Sequence, residues 1–189
     1  MGQADNVQRN GKSTKNPSFY WLKNVREVLE RPRAKLAEMM RAPSSASSCI
    51  FCQIARSSTS TVLLHSDEKV VVFQDINPSA FRHYLVIPIE HIPTVRNLQR
   101  RDEDFALVSH MLDVGQTLLR KDAPNSKHFR FGFHQPPFNS VDHLHLHCLA
   151  LPFIPSWKSI KYLSLGPLGG FIKAEKLLEK LKPLSPLTS

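Results

Sequence analysis

Short blocks of apolar residues, bounded by polar and turn-forming residues, predict five β-strands in the middle and later parts of the chain. In the last block apolar and polar residues alternate strictly, with the period of two that a pleated strand requires. The third block is almost wholly apolar, which is typical of a central strand. The predicted strands are residues 61–65, 69–74, 83–88, 129–135 and 143–149.

A helical pattern lies between the third and the fourth of these strands. Apolar side chains recur at helical spacing from Asp102 to Leu119, and acidic residues fill the first turn, where they complement the helix dipole. A second, short amphipathic helix is predicted over residues 172–181. Strands on both sides of one long helix, without an internal repeat, predict an α+β fold with an antiparallel meander.

The last predicted strand carries most of the candidate chemistry. Its three histidines, His143, His145 and His147, alternate with apolar residues, so they share one face while the apolar residues face the core. Like charges this close disfavour full protonation, so at least one imidazole is neutral at pH 7. A neutral imidazole nitrogen acts as a nucleophile, a base or a metal ligand. The spacing alone does not separate these roles.

The first 48 residues are predicted to be an extension outside the core. Residues 1–17 are polar and lack periodicity, so we expect them to be disordered. Residues 19–40 form a basic amphipathic pattern, which suits an organelle-targeting peptide, a helix on a membrane surface or a docking helix. A partly ordered extension with no chemical role is an equally favoured alternative. A linker rich in Ser, Ala and Pro ends this part. The folded domain is then residues 49–189, with its core at 49–152.

Positive charge is concentrated in the extension. The chain has 25 Lys and Arg against 16 Asp and Glu; the first 48 residues hold nine and four (9 − 4 = +5), which leaves 16 and 12 (+4) for the rest. A mildly basic domain suits an anionic small molecule, and we expect no nucleic-acid partner. No apolar run reaches the roughly 18 residues of a membrane span. Three cysteines are too few for a disulfide framework, which favours the cytoplasm, with organelle targeting through the extension as the alternative.

Two further motifs lie outside the strands. Cys49-Ile50-Phe51-Cys52 opens the folded domain and offers two thiolates to one metal ion, which is half of a tetrahedral ligand set. Trp157, Lys158 and Lys161 follow the last strand. They suit a lid over an anion, a contact from a partner subunit to that anion, or a solvated basic segment, and unanchored charges favour the solvated segment.

Residues 143–149, His-Leu-His-Leu-His-Cys-Leu, resemble the signature of the histidine-triad (HIT) family of nucleotide-binding proteins. Two upstream blocks are similar to further family blocks at the expected separations: Phe-Gln-Asp-Ile-Asn-Pro at residues 73–78 and His-Tyr-Leu-Val-Ile-Pro at residues 83–88. The resemblance covers roughly residues 49–152. Residues 132–142 are most similar to the branch of the family found in plants.

The resemblance implies a fold, an assembly and a reaction. It implies a five-stranded antiparallel sheet with a long helix, a homodimer, no organic cofactor, and transfer of an adenylyl group through a covalent histidine intermediate. The plant branch implies cleavage of adenosine 5'-phosphosulfate to AMP and sulfate, or to ADP and sulfate with phosphate, and cleavage of adenosine phosphoramidate. The alternatives are a general adenosine phosphoramidase, an enzyme that removes adenylate from nucleic-acid ends, which no strong basic patch supports, and a nucleotide-binding or interaction module that is stabilised by zinc and has no turnover.

The resemblance also implies roles for individual residues. His145 is the implied nucleophile, and His147 and His83 are implied at the phosphate, where a protonated His147 would stabilise charge on the phosphoryl oxygens. Ser140 is implied as the donor to the bridging or leaving atom. The implied nucleotide contacts are Asp75 at the ribose, then Phe73, Ile54, Asn139, Val141 and His134, the last standing where the family usually has asparagine. The likeness further implies a structural zinc site formed by Cys49, Cys52, His91 and His143.

Overall fold

The computed structural model describes residues 48–164 and 170–183 of the 189-residue chain. The predicted extension, apart from Ser48, and its amphipathic helix lie outside the described residues. The strands are β1 (Leu63–Ser66), β2 (Val70–Gln74), β3 (Ala80–Pro88), β4 (Phe129–His134), β5 (Leu146–Phe153) and β6 (Phe171–Lys173). The α-helices are α1 (Ile50–Ala55), α2 (Asp102–Asp122) and α3 (Ala174–Leu181), and two 3₁₀ helices cover Val95–Asn97 and Ser156–Tyr162. None of the helices described here is long and apolar enough to cross a membrane.

The six strands form one antiparallel sheet in the order β1-β2-β3-β5-β4-β6. The predicted α+β fold, with an antiparallel sheet and a long helix, is confirmed. The count of five strands is wrong, because β6 pairs with β4. The predicted meander, in which each strand pairs with the next one in the chain, is also wrong. After β3 the chain crosses one face of the sheet as α2, and β5, not β4, pairs with β3. The three residues of β6 run directly into α3, and so short an apolar block has no readable period.

Helix α2 covers one face of the sheet. Its apolar side chains Val108, Met111 and Leu119 are fully buried against the strands. The helix approaches β5 so closely that a Cβ atom at Gly115 would collide with the sulfur of Cys148, which explains glycine in the middle of a helix. The helix continues to Asp122, about one turn beyond the predicted end.

The opposite face of the sheet carries a second apolar cluster. Phe51 and Ile54 of α1 pack there against Phe73, Leu85 and Ile87 of the central strands. Phe51 and Ile54 are three residues apart, so one face of this short helix meets the sheet. The histidines described below lie on this face.

The three histidines straddle the start of β5. The strand begins at Leu146, later than predicted, so His143 and His145 precede the regular pairing with β3. The N–H of Leu144 donates instead to the carbonyl of Ile92, at 2.6 Å. The predicted alternation holds for the core, because Leu144, Leu146 and Cys148 all belong to the cluster beneath α2.

Candidate functional site

Four histidines from three strands and the segment before β5 gather on one face of the sheet. The ring of His147 lies at the centre, with centroid distances of 5.1 Å to His83, 4.7 Å to His134 and 4.9 Å to His145. His83 on β3 reaches His147 diagonally, because its direct partner across the strands is Leu149. The sheet register therefore assembles residues that are far apart in the chain.

Hydrogen bonds fix the tautomers of His83 and His147. The backbone N–H of Ser79 donates to Nδ1 of His83 at 3.2 Å, so the single proton of a neutral His83 is on Nε2. That Nε2–H donates to Nδ1 of His147 at 2.9 Å, which places the proton of His147 on its own Nε2. The Nε2 of His147 is buried and has no partner among the described residues. This N–H group can therefore donate a hydrogen bond to a bound ligand.

The tautomer of His145 is the opposite one. Its Nδ1 lies 2.6 Å from the carbonyl oxygen of His143, to which only an N–H can donate. A neutral His145 consequently has an unprotonated Nε2 with a free lone pair. This is the form of imidazole that attacks an electrophile.

Burial holds this cluster in its neutral form. Desolvation lowers the pKa of His83 to about 4, although the nearby carboxylate of Asp75 partly opposes it, and lowers the pKa of His134 to about 4. The pKa of His145 is lowered by burial, and that of His147 is lowered further by burial and by the surrounding histidines. These shifts favour a neutral His147 that donates through its Nε2–H in the free protein, and the protonated His147 expected from the sequence stays a prediction for the protein with substrate bound.

We expect the free energy of unfolding to decrease between about pH 6.5 and pH 4. The folded-state pKa values of His83 and His134 lie near 4, below 6.5 in the unfolded chain, so the unfolded state binds more protons in this range and stability is lost as the pH falls. Each such histidine contributes at most about 1.4 kcal/mol per pH unit. Urea denaturation across this range measures the slope, which His134→Asn should reduce and the exposed His128→Ala should not. Equal slopes for wild type and His134→Asn would contradict the assignment.

Apolar residues flank the nucleophile candidate on its other side. The ring of Phe51 lies edge-on to His145, with centroids 5.3 Å apart, and it meets Phe73 at 5.6 Å. Ile54 is buried beside them, and the half-buried Val141 packs against the same cluster. Two predicted base contacts, Phe73 and Ile54, are thus brought together with Phe51. The sequence analysis missed Phe51, although its spacing from Ile54 on a helix could have indicated it.

A cavity of about 680 Å³ opens beside His147. Its volume suits a small-molecule ligand. One end is lined by Asp75, whose carboxylate lies 3.4 Å from Nε2 of His83. Ser140 and His134 line another part of the wall, and the amide of Asn139, the residue before Ser140, donates to the carboxylate of Asp142 at 2.7 Å. Of the residues predicted at the phosphate and the ribose, His147, Ser140 and Asp75 line this cavity, whereas His83 and the predicted nucleophile His145 do not.

Two residues after β5 belong to this site and were not predicted to do so. Lys158 is only 8% exposed, and its ammonium donates to Oδ1 of Asn77 and to the carbonyl of Pro78, both at 2.8 Å. These bonds hold the loop that ends in Ser79, the residue whose N–H sets the tautomer of His83. Tyr162 is buried against His83, His134 and His147. The favoured solvated segment is wrong for Lys158, because the sequence gives no sign of its distant partners.

A second cluster contains the four predicted metal ligands. The ligand atoms of Cys49, Cys52, His91 and His143 all lie within 4.8 Å of one another, so the four residues can hold a metal ion. The distances from sulfur to Nδ1 are 3.6 Å for Cys49–His143, 3.4 Å for Cys52–His143 and 3.2 Å for Cys52–His91. A tetrahedron with bonds of about 2.3 Å to sulfur and 2.0 Å to nitrogen has edges near 3.5 Å. The observed separations fit it.

The surroundings of this cluster also suit a cation. Nε2 of His143 donates to the carbonyl of Pro88 at 2.9 Å, so Nδ1 presents its lone pair to the sulfurs, as metal-bound histidines do. Burial and the neighbouring Cys49 raise the pKa of Cys52 to about 11, which makes its thiolate costly without a compensating positive charge. All three cysteines are unpaired.

The chain is similar to several known proteins. A family profile described as "Scavenger mRNA decapping enzyme C-term binding" matches residues 48–162. The bifunctional adenosine 5'-phosphosulfate phosphorylase/adenylylsulfatase of Arabidopsis thaliana is 75% identical over 136 residues, 72% of this chain and 92% of that protein. The adenosine 5'-monophosphoramidase of Xenopus tropicalis is 45% identical over 105 residues, 54% of this chain and 67% of that protein. The solved structure of a HIT family hydrolase from Legionella pneumophila matches with a TM-score of 0.50 and 30% identity, over 54% of this chain and 91% of that chain.

Proposed function

This chain belongs to the histidine-triad family, and from that premise we propose that it cleaves adenosine 5'-phosphosulfate to AMP and sulfate, or to ADP and sulfate when phosphate is the acceptor. The chain is thus a nucleotidyl hydrolase and transferase. The observation that carries the proposal is the hydrogen bond from Nδ1 of His145 to the carbonyl of His143, which leaves Nε2 as a lone pair. The similarity to the Arabidopsis protein, which is named for both reactions, supports this substrate.

In the first step, Nε2 of His145 attacks the α-phosphorus. A nitrogen–phosphorus bond forms, the bond from phosphorus to the sulfate oxygen breaks, and its electron pair leaves with sulfate. Sulfate is a weak base, so its departure needs little help from an acid. The Nε2–H of His147 and the hydroxyl of Ser140 would donate to the phosphoryl and leaving oxygens.

In the second step, water or phosphate attacks the adenylyl group on His145. The nitrogen–phosphorus bond breaks, and its electrons return to Nε2. Water gives AMP and phosphate gives ADP, while the proton of the acceptor passes to solvent. Splitting one difficult displacement into two easier ones is the advantage of a covalent intermediate.

The remaining residues would bind the nucleoside. Asp75 would accept hydrogen bonds from the ribose hydroxyls, and the base would lie against Phe73 and Ile54 next to Val141. The relay from Ser79 through His83 to His147 would keep the donor proton at the phosphate. Asn139 would hold the loop that carries Ser140, through its bond to Asp142.

Adenosine phosphoramidate is a second substrate for the same site. The Xenopus relative is named as an adenosine 5'-monophosphoramidase, which supports this activity. Here the departing nitrogen must gain a proton, so donors near the leaving atom contribute more than they do with sulfate.

Turnover of radiolabelled adenosine 5'-phosphosulfate tests the proposal. We expect AMP without phosphate and additional ADP with phosphate, and AMP from adenosine phosphoramidate. If only the phosphoramidate is cleaved, the protein is a general phosphoramidase. If neither compound is cleaved although AMP binds, the protein is a nucleotide-binding module whose fold is stabilised by a metal ion.

We propose zinc as the ion of the metal cluster. Two thiolates and two imidazoles fill a tetrahedral shell and leave no open position, so such an ion is structural and does not act on the substrate. It would tie α1 to the segment that carries His143.

We also propose a homodimer and a reducing compartment such as the cytoplasm, both from the resemblance and the cysteine content. Sedimentation would distinguish the 21.5 kDa chain from a particle of twice that mass. A fluorescent fusion would locate the protein.

A further inference from the structure

The second 3₁₀ helix buries a lysine whose positive charge is not used in either proposed chemical step. Only 8% of Lys158 is exposed. Its ammonium donates to Oδ1 of Asn77 and to the carbonyl oxygen of Pro78, both at 2.8 Å. Both acceptors are neutral, and no ion pair among the described residues includes Lys158. Burying a charge without an opposite charge is costly, so stability alone does not explain a lysine here.

The carbonyl group that binds Lys158 belongs to the same peptide group as the N–H that binds His83. This peptide group joins Pro78 to Ser79. Its oxygen accepts a hydrogen bond from Lys158, and its N–H donates to Nδ1 of His83 at 3.2 Å. Resonance links the oxygen and the nitrogen of a peptide group, so a cation at the oxygen makes the N–H a stronger donor. The charge of Lys158 therefore acts on His83 through a single peptide group.

The loop that contains this peptide group, residues 75–79, is also held by bonds that do not involve Lys158. The backbone N–H of Asn77 donates to Oδ1 of Asp75 at 2.8 Å. The carbonyl of Ser79 accepts from the N–H of Ile154, at the end of β5, at 3.0 Å. The loop is thus fixed on both sides of the peptide group. Removing the charge of Lys158 should therefore change the strength of the N–H donor without unfolding the loop.

We propose that Lys158 is a positioning residue, which keeps the proton of His147 on the nitrogen that faces the phosphate. The inference rests on the proposed function and gives a role to a residue outside the range of the family resemblance. A stronger N–H donor at Ser79 keeps Nδ1 of His83 an acceptor, so the proton of His83 stays on Nε2. This proton is donated to Nδ1 of His147 at 2.9 Å, which leaves the proton of His147 on its buried Nε2. Lys158 acts through the peptide group and two imidazoles, without touching the substrate.

Nitrogen NMR of the free protein tests this role without any substrate. In the wild type we expect His83 and His147 as Nε2–H tautomers and His145 as the Nδ1–H tautomer, which serves as the internal reference. In Lys158→Met, the amide proton of Ser79 should move upfield, and His147 should become a mixture of both tautomers. Lys158→Gln keeps an N–H donor without the charge and should give the same result. Lys158→Arg keeps the charge and should restore the wild-type spectrum.

Turnover of adenosine 5'-phosphosulfate should fall about tenfold in the two neutral variants, which is less than the loss of a phosphate donor itself, and should recover in Lys158→Arg. Lys176→Met is the matched control, because Lys176 on α3 is exposed, and it should change neither the spectrum nor the rate.

A single tautomer of His147 and an unchanged Ser79 amide proton in both neutral variants would overturn the role of Lys158, even if turnover fell. A wild-type spectrum in Lys158→Gln would also contradict it, because the hydrogen bond would then suffice without the charge. The spectra need no substrate. They therefore decide the role of Lys158 even if the wild type cleaves neither compound and the proposed function fails.

Discussion

Replacing His145 with alanine is expected to lower turnover of adenosine 5'-phosphosulfate by about 10³-fold or more. Such a loss corresponds to about 4 kcal/mol of barrier lowering. The reason is chemical: alanine has no nitrogen to attack the α-phosphorus, and no described residue other than His145 presents an imidazole Nε2 lone pair that is fixed by a backbone carbonyl. The rate is measured as release of labelled AMP under single-turnover conditions.

Two controls separate loss of the nucleophile from loss of the site. His128→Ala removes an exposed histidine from the segment before β4, so its turnover should equal that of the wild type. AMP should still bind His145→Ala within a few-fold of wild-type affinity, because the proposed ribose and base contacts remain. Trapping the wild type with labelled substrate should attach the adenylyl group to one histidine, and the variant should not become labelled. A variant that retained more than a tenth of the rate would require another nucleophile.

The shared face of the three histidines could be predicted because the pattern lies within a few consecutive residues. Three histidines at a spacing of two specify a shared face in any strand, and the core positions of Leu144, Leu146 and Cys148 bear that out. The long helix is local in the same sense, since its apolar stripe has its own period. The order of the strands is not local. It depends on where α2 packs, and the requirement for Gly115 shows how closely it packs.

The protonation states of the histidines in the site could not be predicted from the sequence either. Spacing indicated that at least one imidazole is neutral, but it could not show that burial lowers the pKa of every member of the cluster. The bonds of Lys158 to Asn77 and Pro78 join residues about 80 positions apart, and the tautomer of His83 depends on a backbone N–H. Residues of this kind, which position others, have no sequence motif. The ligand cluster of Cys49 and His143 could be proposed only because a family resemblance linked them.

Removing Cys52 is expected to release the metal ion and to destabilise the folded domain. We expect one zinc per wild-type chain by elemental analysis and almost none in Cys52→Ala. The free energy of unfolding should fall by at least about 3 kcal/mol, because binding to a site that exists only in the folded state adds directly to folding. At about 2–4 °C per kcal/mol for a chain of this length, the melting temperature should drop by roughly 6–12 °C.

Cys148→Ala is the matched control for this loss. Cys148 is also buried, at 0% exposure against 2% for Cys52, but it packs beneath α2, away from the metal cluster. It should keep its zinc and lose only the packing of one thiol. A chelator should lower the melting temperature of the wild type and of Cys148→Ala, but not that of Cys52→Ala. The ion would hold His143, whose carbonyl orients His145, so chelation should lower turnover together with stability. Zinc-free wild-type protein with unchanged melting and activity would refute the structural metal site and this link to catalysis.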